Sequence, residues 1–366
     1  MDFSLTEAQH DLAGLTRDIL AGHLTEERLR AAEAAPDRFD RDLWQALATA
    51  GVLAAALPVA AGGSGYGLLE QCAVLTELGR AVAPVPYLDS IAVAATVIAG
   101  FGTPAQRNRW VRPAATGELV LTAALAEATG AALTTARPDG GCWRLSGAKT
   151  TVPAATVADL FLVPARTSDV PTVFLVAPTD PGVTVHAQRT VAGADAALVE
   201  FDGVALGADR VLDGGQETVD ALHTRATIGL CAHQLGVIER ALEMTARYAT
   251  ERVQFGRPIG TFQAVGQRLA DGYTDVEAIR LTLWQAAWRV AEGLPAGTAT
   301  ATAKFWAADA GHRVAHTAIH IHGGVGIDKE YPLTRYFVAA KRNEFNLGGA
   351  TAQLRRIGSV LAAEPG

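Results

Sequence analysis

Residues 251–263 read Glu251-Arg252-Val253-Gln254-Phe255-Gly256-Arg257-Pro258-Ile259-Gly260-Thr261-Phe262-Gln263 and join two long periodic segments. Upstream, Leu235, Ile238, Leu242 and Thr245 fall at helical spacing. Downstream, so do Val265, Leu269, Val276, Ile279, Leu283 and Val290, until Gly293 and Pro295 stop the run. Gly256, Pro258 and Gly260 shape the connection. Arg252 opens it, where a planar guanidinium can pair a phosphate. Local chemistry alone favours the plainer reading, a helix connection carrying a surface arginine.

A third helix covers roughly 299–320 and runs into His320-Ile321-His322-Gly323-Gly324-Val325-Gly326. Glycines there let backbone amides approach a ligand, although many such turns simply end helices. A helix, not a strand, precedes the turn, so it is not the dinucleotide fingerprint.

Working toward the N-terminus, the period changes between positions 117 and 214. Leu119-Val120-Leu121, Leu160-Phe161-Leu162-Val163, Val173-Phe174-Leu175-Val176 and Leu198-Val199-Glu200-Phe201 alternate with Gly, Pro and Asp turns, the pattern of an antiparallel β region. Before it the chain reads as helices. Thr6-Glu7-Ala8-Gln9 is a capping box opening a helix with Leu12, Leu15 and Ile19 on one face. Another helix runs through Leu43, Trp44 and Leu47 to Gly51. A loop from Leu57 to Gly67 turns sharply, and two apolar helices follow around 68–78 and 90–99. The expected segments are 1–116 (helical), 117–214 (β) and 215–366 (helical bundle).

With 366 residues, more than one core is expected. A net charge of −7 argues against a nucleic-acid partner, which requires a basic face. Basic residues are nearly all Arg, with Lys only at Lys149, Lys304, Lys329 and Lys341. Cys72, Cys142 and Cys231 are odd in number and widely spaced, which suits a reducing cytoplasm and forms no zinc pattern. The N-terminus lacks a signal-peptide pattern, and no apolar run reaches membrane-spanning length. A cytoplasmic protein without membrane or nucleic-acid contacts is expected.

His312, His316 and His320 share one helical stripe, but no Glu or Cys stands beside them in a zinc-site pattern, so no metal is expected. Nor does any serine or cysteine lie in the local context of an activated nucleophile.

The helical–β–helical order, the 252–263 segment and the glycine turn together resemble the acyl-CoA dehydrogenase family along nearly the whole chain. The resemblance implies an α+β fold: an N-terminal helical domain, a middle antiparallel β domain and a C-terminal four-helix bundle. It implies an oxidoreductase that forms a 2-enoyl-CoA by α,β-desaturation of an acyl-CoA substrate, with FAD shared across a subunit interface. On that resemblance Arg252 matches the pyrophosphate arginine, and Phe255 and Gln263 match further FAD contacts. Gly323, Gly324 and Gly326 match the turn near the adenosine, with His320 where the family usually has Gln.

The chain departs from the family on its flavin-ring side. The loop expected to hold Thr-Glu-Pro and Gly-Ser-Asp reads Ala126-Glu127-Ala128-Thr129-Gly130-Ala131-Ala132-Leu133, and a Trp-Ile-Thr element appears as Thr151-Val152-Pro153. Proline has neither a backbone donor nor a hydroxyl, so that contact cannot be made the same way. No carboxylate stands where the family has its base. An ungapped reading places Leu347 there, a one-residue shift gives Gly348, and the alternative base position falls near Ala226. Glu344 lies one helical turn earlier and is the weak candidate for a displaced base.

The pattern is similar to base-less subunits of heteromeric α2β2 actinobacterial steroid side-chain acyl-CoA dehydrogenases. That likeness implies a second acyl-CoA dehydrogenase subunit carrying the glutamate, a steroid side-chain (cholesterol-type) acyl-CoA substrate and an electron-transfer flavoprotein-type acceptor. Two other readings stay open at this point. One is an autonomous homo-oligomeric flavoenzyme whose base is Glu344 or Glu127. The other is a non-catalytic scaffold without flavin.

Overall fold

The computed structural model describes residues 5–127, 133–168, 170–190, 193 and 195–363. Helices α1 (Glu7–His23), α2 (Glu26–Ala34), α3 (Arg41–Thr49), α4 (Val52–Ala55) and α5 (Leu68–Ala81) come first. A π-helical segment, Leu88–Ala95, leads into α6 (Thr96–Phe101), and the short α7 (Pro104–Gln106) and α8 (Arg112–Ala115) follow. Strands β1 (Leu121–Ala123), β2 (Thr135–Asp139), β3 (Cys142–Pro153), β4 (Leu160–Ala165), β5 (Thr172–Val176), β6 (Val183–Arg189) and β7 (Asp195–Leu206) make up the middle. The last third holds α9 (Gln216–Glu251), β8 (Val253–Gln254), β9 (Arg257–Pro258), α10 (Gln263–Ala291), α11 (Gly297–His322), α12 (Leu333–Phe345) and α13 (Ala350–Ala363).

By packing, the chain divides into two units: Met1–Leu20, Leu68–Ala83 and Thr227–Gly366 form one, Ala21–Gly67 and Pro84–Ala226 the other. In the first, Thr6 and Gln9 form the expected capping box: Thr6 N–H donates to Gln9 Oε1 at 3.0 Å and Gln9 N–H to Thr6 Oγ1 at 3.3 Å. The buried face of α1 differs from the sequence expectation. It is Gln9, Leu12, Ala13, Thr16 and Leu20, while Leu15 is 41% exposed and Ile19 half-buried. Thr16 can be buried because its hydroxyl donates to the Leu12 carbonyl at 2.7 Å. Helices α5 and α9 cross at glycines. A Cβ on Gly236 would lie 1.9 Å from the Thr76 carbonyl oxygen, and one on Gly79 2.1 Å from that of His233, so backbone meets backbone there.

In the second unit, one sheet has the order β1-β4-β5 and the other β2-β3-β7-β6. The pairing is antiparallel throughout except β1 with β4, which are parallel in the register Leu121↔Leu160. Sequence alternation reports which face is buried and not strand direction, so this pair was not legible beforehand. Phe161, Val163, Phe174 and Val176 from the first sheet, with Leu145, Val199, Phe201 and Val204 from the second, fill the shared core. No helix among the described residues is long and apolar enough to cross a membrane.

Candidate functional site

Where α9 ends, the chain makes a two-strand hairpin whose turn residues, Phe255 (φ +53°) and Gly256 (φ +79°), are both left-handed. Two-residue hairpins favour this geometry because it matches strand twist. Phe255 is 93% exposed at the tip, edge-on to Phe262 at 6.3 Å, and the Arg257 guanidinium lies 4.4 Å over the Phe262 ring. Arg252 is anchored through its backbone: its N–H donates to the Tyr248 carbonyl at 2.8 Å, and its carbonyl accepts from Ile259 N–H at 2.8 Å. Its side chain is exposed and ion-pairs with no described residue. Gln263, the first residue of α10, is likewise exposed with its side-chain amide free among the described residues.

The glycine turn follows α11 directly. Gly323 has φ +64° and ψ −141°, a region closed to residues with a Cβ. Cβ atoms built on Gly323 or Gly324 would meet nothing within 4 Å, so the turn's outer face is open; one on Gly326 would lie 3.0 Å from the His322 Cβ, so its inner face is packed. Thr334 Oγ1 ties the turn from below, donating to the carbonyls of Gly326 (3.1 Å) and Asp328 (2.7 Å). His320 is exposed on the last turn of α11.

Sequence reasoning passed over His322, which joins these two pieces. Its ring stacks on Tyr248 at 4.3 Å and 22° and leans against Tyr331 at 5.4 Å. Tyr248 lies one helical turn before Arg252, and His322 immediately precedes Gly323. The structure therefore brings the arginine and the glycine turn to one edge of this unit. The partner rings are distant in sequence, so no local signal marked them.

The region after α12 is built differently. Leu347 is held at φ +59° and Gly348 at φ +91°. A Cβ on Gly348 would lie 3.0 Å from the Ala352 Cβ and 3.1 Å from Gln353 Nε2, so at that position, also left-handed, a side chain would crowd α13. The buried Gln353 donates from Nε2 to the carbonyls of Leu347 (3.1 Å) and Gly348 (2.9 Å). Buried Lys304 donates to the carbonyls of Asn343 (2.9 Å) and Glu344 (3.0 Å), and burial holds its pKa below the usual lysine range. Glu344 pairs with Lys341 at 2.5 Å and with His312 at 3.2 Å. His312 and His316 pack ring to ring at 4.2 Å, with His316 against Phe337, while His320 stands apart from both. Ala226 is buried and carries no proton acceptor.

In the second unit, Ala128–Ala132 lie outside the described residues. Glu127 accepts from Lys149 Nζ at 2.5 Å and from Thr134 Oγ1 at 3.0 Å. Lys149 is almost fully buried, and that burial lowers its pKa against the pull of Glu127. Thr151 is left-handed (φ +47°) at a register shift in β3, and its N–H donates to Gln188 Oε1 at 2.9 Å. Pro153 pairs with Ala196 and accepts from Thr122 Oγ1 at 2.7 Å. Glu127, Lys149 and the Thr151 N–H are thus engaged within the unit.

The C-terminal unit is thus a helical bundle that carries an exposed arginine, unpaired among the described residues, and an open glycine turn. The chain belongs to the acyl-CoA dehydrogenase family, a family of FAD-dependent oxidoreductases: residues 6–118, 122–204 and 216–362 match its N-terminal, middle and C-terminal domains. It is 50% identical to the acyl-CoA dehydrogenase FadE27 of Mycobacterium tuberculosis over all of both chains. It superposes on a chain of the ChsE4–ChsE5 complex from Mycobacterium tuberculosis with a TM-score of 0.98 at 51% identity, covering both chains fully. A chain in a variant of the Tcur3481–Tcur3483 steroid acyl-CoA dehydrogenase gives 0.92 at 43% identity, covering 98% of each.

Proposed function

We propose that this chain is a non-autonomous subunit of a heteromeric acyl-CoA dehydrogenase that desaturates a steroid side-chain (cholesterol-type) acyl-CoA to its 2-enoyl-CoA in the cytoplasm. The observation that carries the reading is the division of polar groups. Among the described residues, Arg252, Gln263 and the outer face of Gly323-Gly324 are free, while the two candidate bases, Glu344 and Glu127, are already paired, each within its own unit.

The free set fits the pyrophosphate-adenosine half of FAD. An unpaired guanidinium suits two phosphate oxygens, and glycines without Cβ atoms let backbone approach a nucleotide. In this reading Arg252, Phe255, Gln263, His320, Gly323, Gly324 and Gly326 hold that half, and the flavin when bound supplies hydride acceptance. This chain contributes binding and orientation. Proton abstraction beside a thioester needs a base within hydrogen-bond reach, and Leu347 offers none, so a partner acyl-CoA dehydrogenase subunit supplies the glutamate. The partner and the steroid substrate are supported by the ChsE4–ChsE5 complex and the Tcur3481–Tcur3483 steroid enzyme. An electron-transfer flavoprotein-type protein is the proposed electron acceptor. The segments 1–116, 117–214 and 215–366 remain the proposed domains.

The test is to purify the chain alone and co-expressed with an acyl-CoA dehydrogenase subunit that carries the glutamate, then measure flavin per protein and acyl-CoA-dependent flavin reduction. Flavin and reduction should appear in the co-purified complex only. Full flavin and turnover in the isolated chain would overturn the subunit assignment, and a colourless complex would overturn the flavin assignment.

A further inference from the structure

The stack of Tyr248, His322 and Tyr331 is placed as a joint. Tyr248 sits on the last turn of α9, and its carbonyl receives the Arg252 N–H at 2.8 Å. His322 ends α11 and precedes Gly323. Tyr331 lies beyond the turn, with its N–H on the Asp328 carbonyl at 3.0 Å, the same carbonyl that Thr334 Oγ1 holds at 2.7 Å. Three separate chain segments therefore meet in one set of rings, and both pieces of the half-site grow out of it.

The ring of His322 is fixed in orientation. Its Nδ1 lies 2.9 Å from the Ala318 carbonyl, an acceptor only, so Nδ1 carries the proton and Nε2 keeps a lone pair. Nε2 is buried without a hydrogen-bond partner. Burial also favours the neutral ring more than the Ala318 bond favours the charged one, so the stack adds no positive charge beside Arg252. The Ala318 bond only orients the ring on its own helix; the ring stack on Tyr248 is what joins α11 to α9.

We propose that the Tyr248–His322–Tyr331 stack is a positioning element that holds the Arg252 guanidinium and the 323–326 turn at the separation one nucleotide requires. The assignment rests on the half-site reading above. The stack works through Arg252 and the turn: His322, its central ring, is buried with Nε2 closed to solvent.

The experiment is an FAD binding titration of the deflavinated complex, made with the full chain and a glutamate-bearing partner subunit, for His322→Ala, His322→Phe, Arg252→Ala and the His322→Ala/Arg252→Ala pair. His322→Ala should weaken FAD binding about tenfold, while His322→Phe, which retains a ring for the stack, should stay within about threefold. If the stack acts through Arg252, the double variant should bind no worse than Arg252→Ala alone, because groups acting as one unit are non-additive. Additive losses, or equal losses in His322→Ala and His322→Phe, would overturn the positioning role while leaving the half-site intact. An Arg252→Ala complex with unchanged FAD affinity would instead overturn the half-site itself. The His322→Phe complex serves as the folded reference for the alanine variant, checked by its thermal midpoint.

Discussion

Two stretches of the C-terminal unit, the 252–263 hairpin with the 320–327 turn and the 343–353 connection, differ in where their polar groups go. In the first, Arg252, Gln263 and His320 have no side-chain partner among the described residues, and Phe255 stands in solvent. In the second, Lys304, Glu344 and Gln353 are committed to carbonyls or ion pairs of the same unit. A buried polar group without a partner is costly, whereas an exposed one stays hydrated at little expense. The difference therefore separates a surface kept available for something outside the unit from a connection that has become architecture. Leu347, which carries no carboxylate, belongs to the second kind, and the open hairpin and glycine turn lie on different elements from it.

The sharpest way to break this comparison is Arg252→Ala. If the hairpin edge is a phosphate site, the variant should lose FAD affinity on the order of 100-fold while its thermal midpoint stays put. Arg252→Lys should recover only part of the loss, because an ammonium cannot offer two parallel donors. Flavin fluorescence on the co-purified complex reads both. At the other stretch the effects should fall on stability. Lys304→Ala removes a buried stem and strands the carbonyls of Asn343 and Glu344, so unfolding free energy should drop by about 3 kcal/mol. Denaturant titration checks this, and an unchanged midpoint would remove Lys304 from the architecture.

A pH experiment probes the same end of α12. Asn343 Nδ2 donates to His233 Nδ1 at 2.9 Å and to Gln234 Oε1 at 2.9 Å, and Gln234 Nε2 donates to the Ala307 carbonyl at 3.2 Å. Burial, with Arg342 adding to it, pushes the His233 pKa down to about 3. A histidine depressed in the folded state binds its proton first when unfolded. Its contribution is therefore complete above the unfolded value near 6.5 and is lost as pH falls toward 3, by about 1.4 kcal/mol per unit. Thermal midpoints across that window should slope downward with acid, and His233→Gln should flatten the slope.

Smaller effects finish the comparison. Gln353→Leu frees the carbonyls of Leu347 and Gly348 and should cost about 2 kcal/mol by denaturant titration. Leu347→Glu should change stability by less than about 0.5 kcal/mol, since one left-handed residue with a Cβ replaces another. It should not by itself confer flavin reduction on the isolated chain. Single-turnover mixing with acyl-CoA tests that, and turnover would show that only the carboxylate was missing.

Much of the molecule was legible in advance. The Thr6–Gln9 capping box, the helix stop at Gly51, the strands at 160–163 and 173–176 and the long helices flanking 252–263 rest on local chemistry, which a sequence displays directly. The exposed Leu15, the parallel β1–β4 pair and the His322 stack were not legible. Each depends on which distant segment comes to lie alongside, and neither periodicity nor spacing records that. The histidine stripe shows the limit clearly. His312, His316 and His320 drew notice through their spacing, whereas His322, off that stripe, is the one that joins two elements.

By itself the sequence determined that the helical, β and helical segments follow in that order, that glycines lie at 323, 324 and 326, and that no carboxylate occupies 347 or 348. Those are properties of residue types and short-range periodicity. Only the tertiary structure decided that Arg252 and the glycine turn share one edge, that a Cβ on Gly348 would crowd Ala352 and Gln353, and that Glu344 and Glu127 are already paired. The physical reason is that pairing and free volume depend on groups far apart in the chain, and packing alone sets those distances.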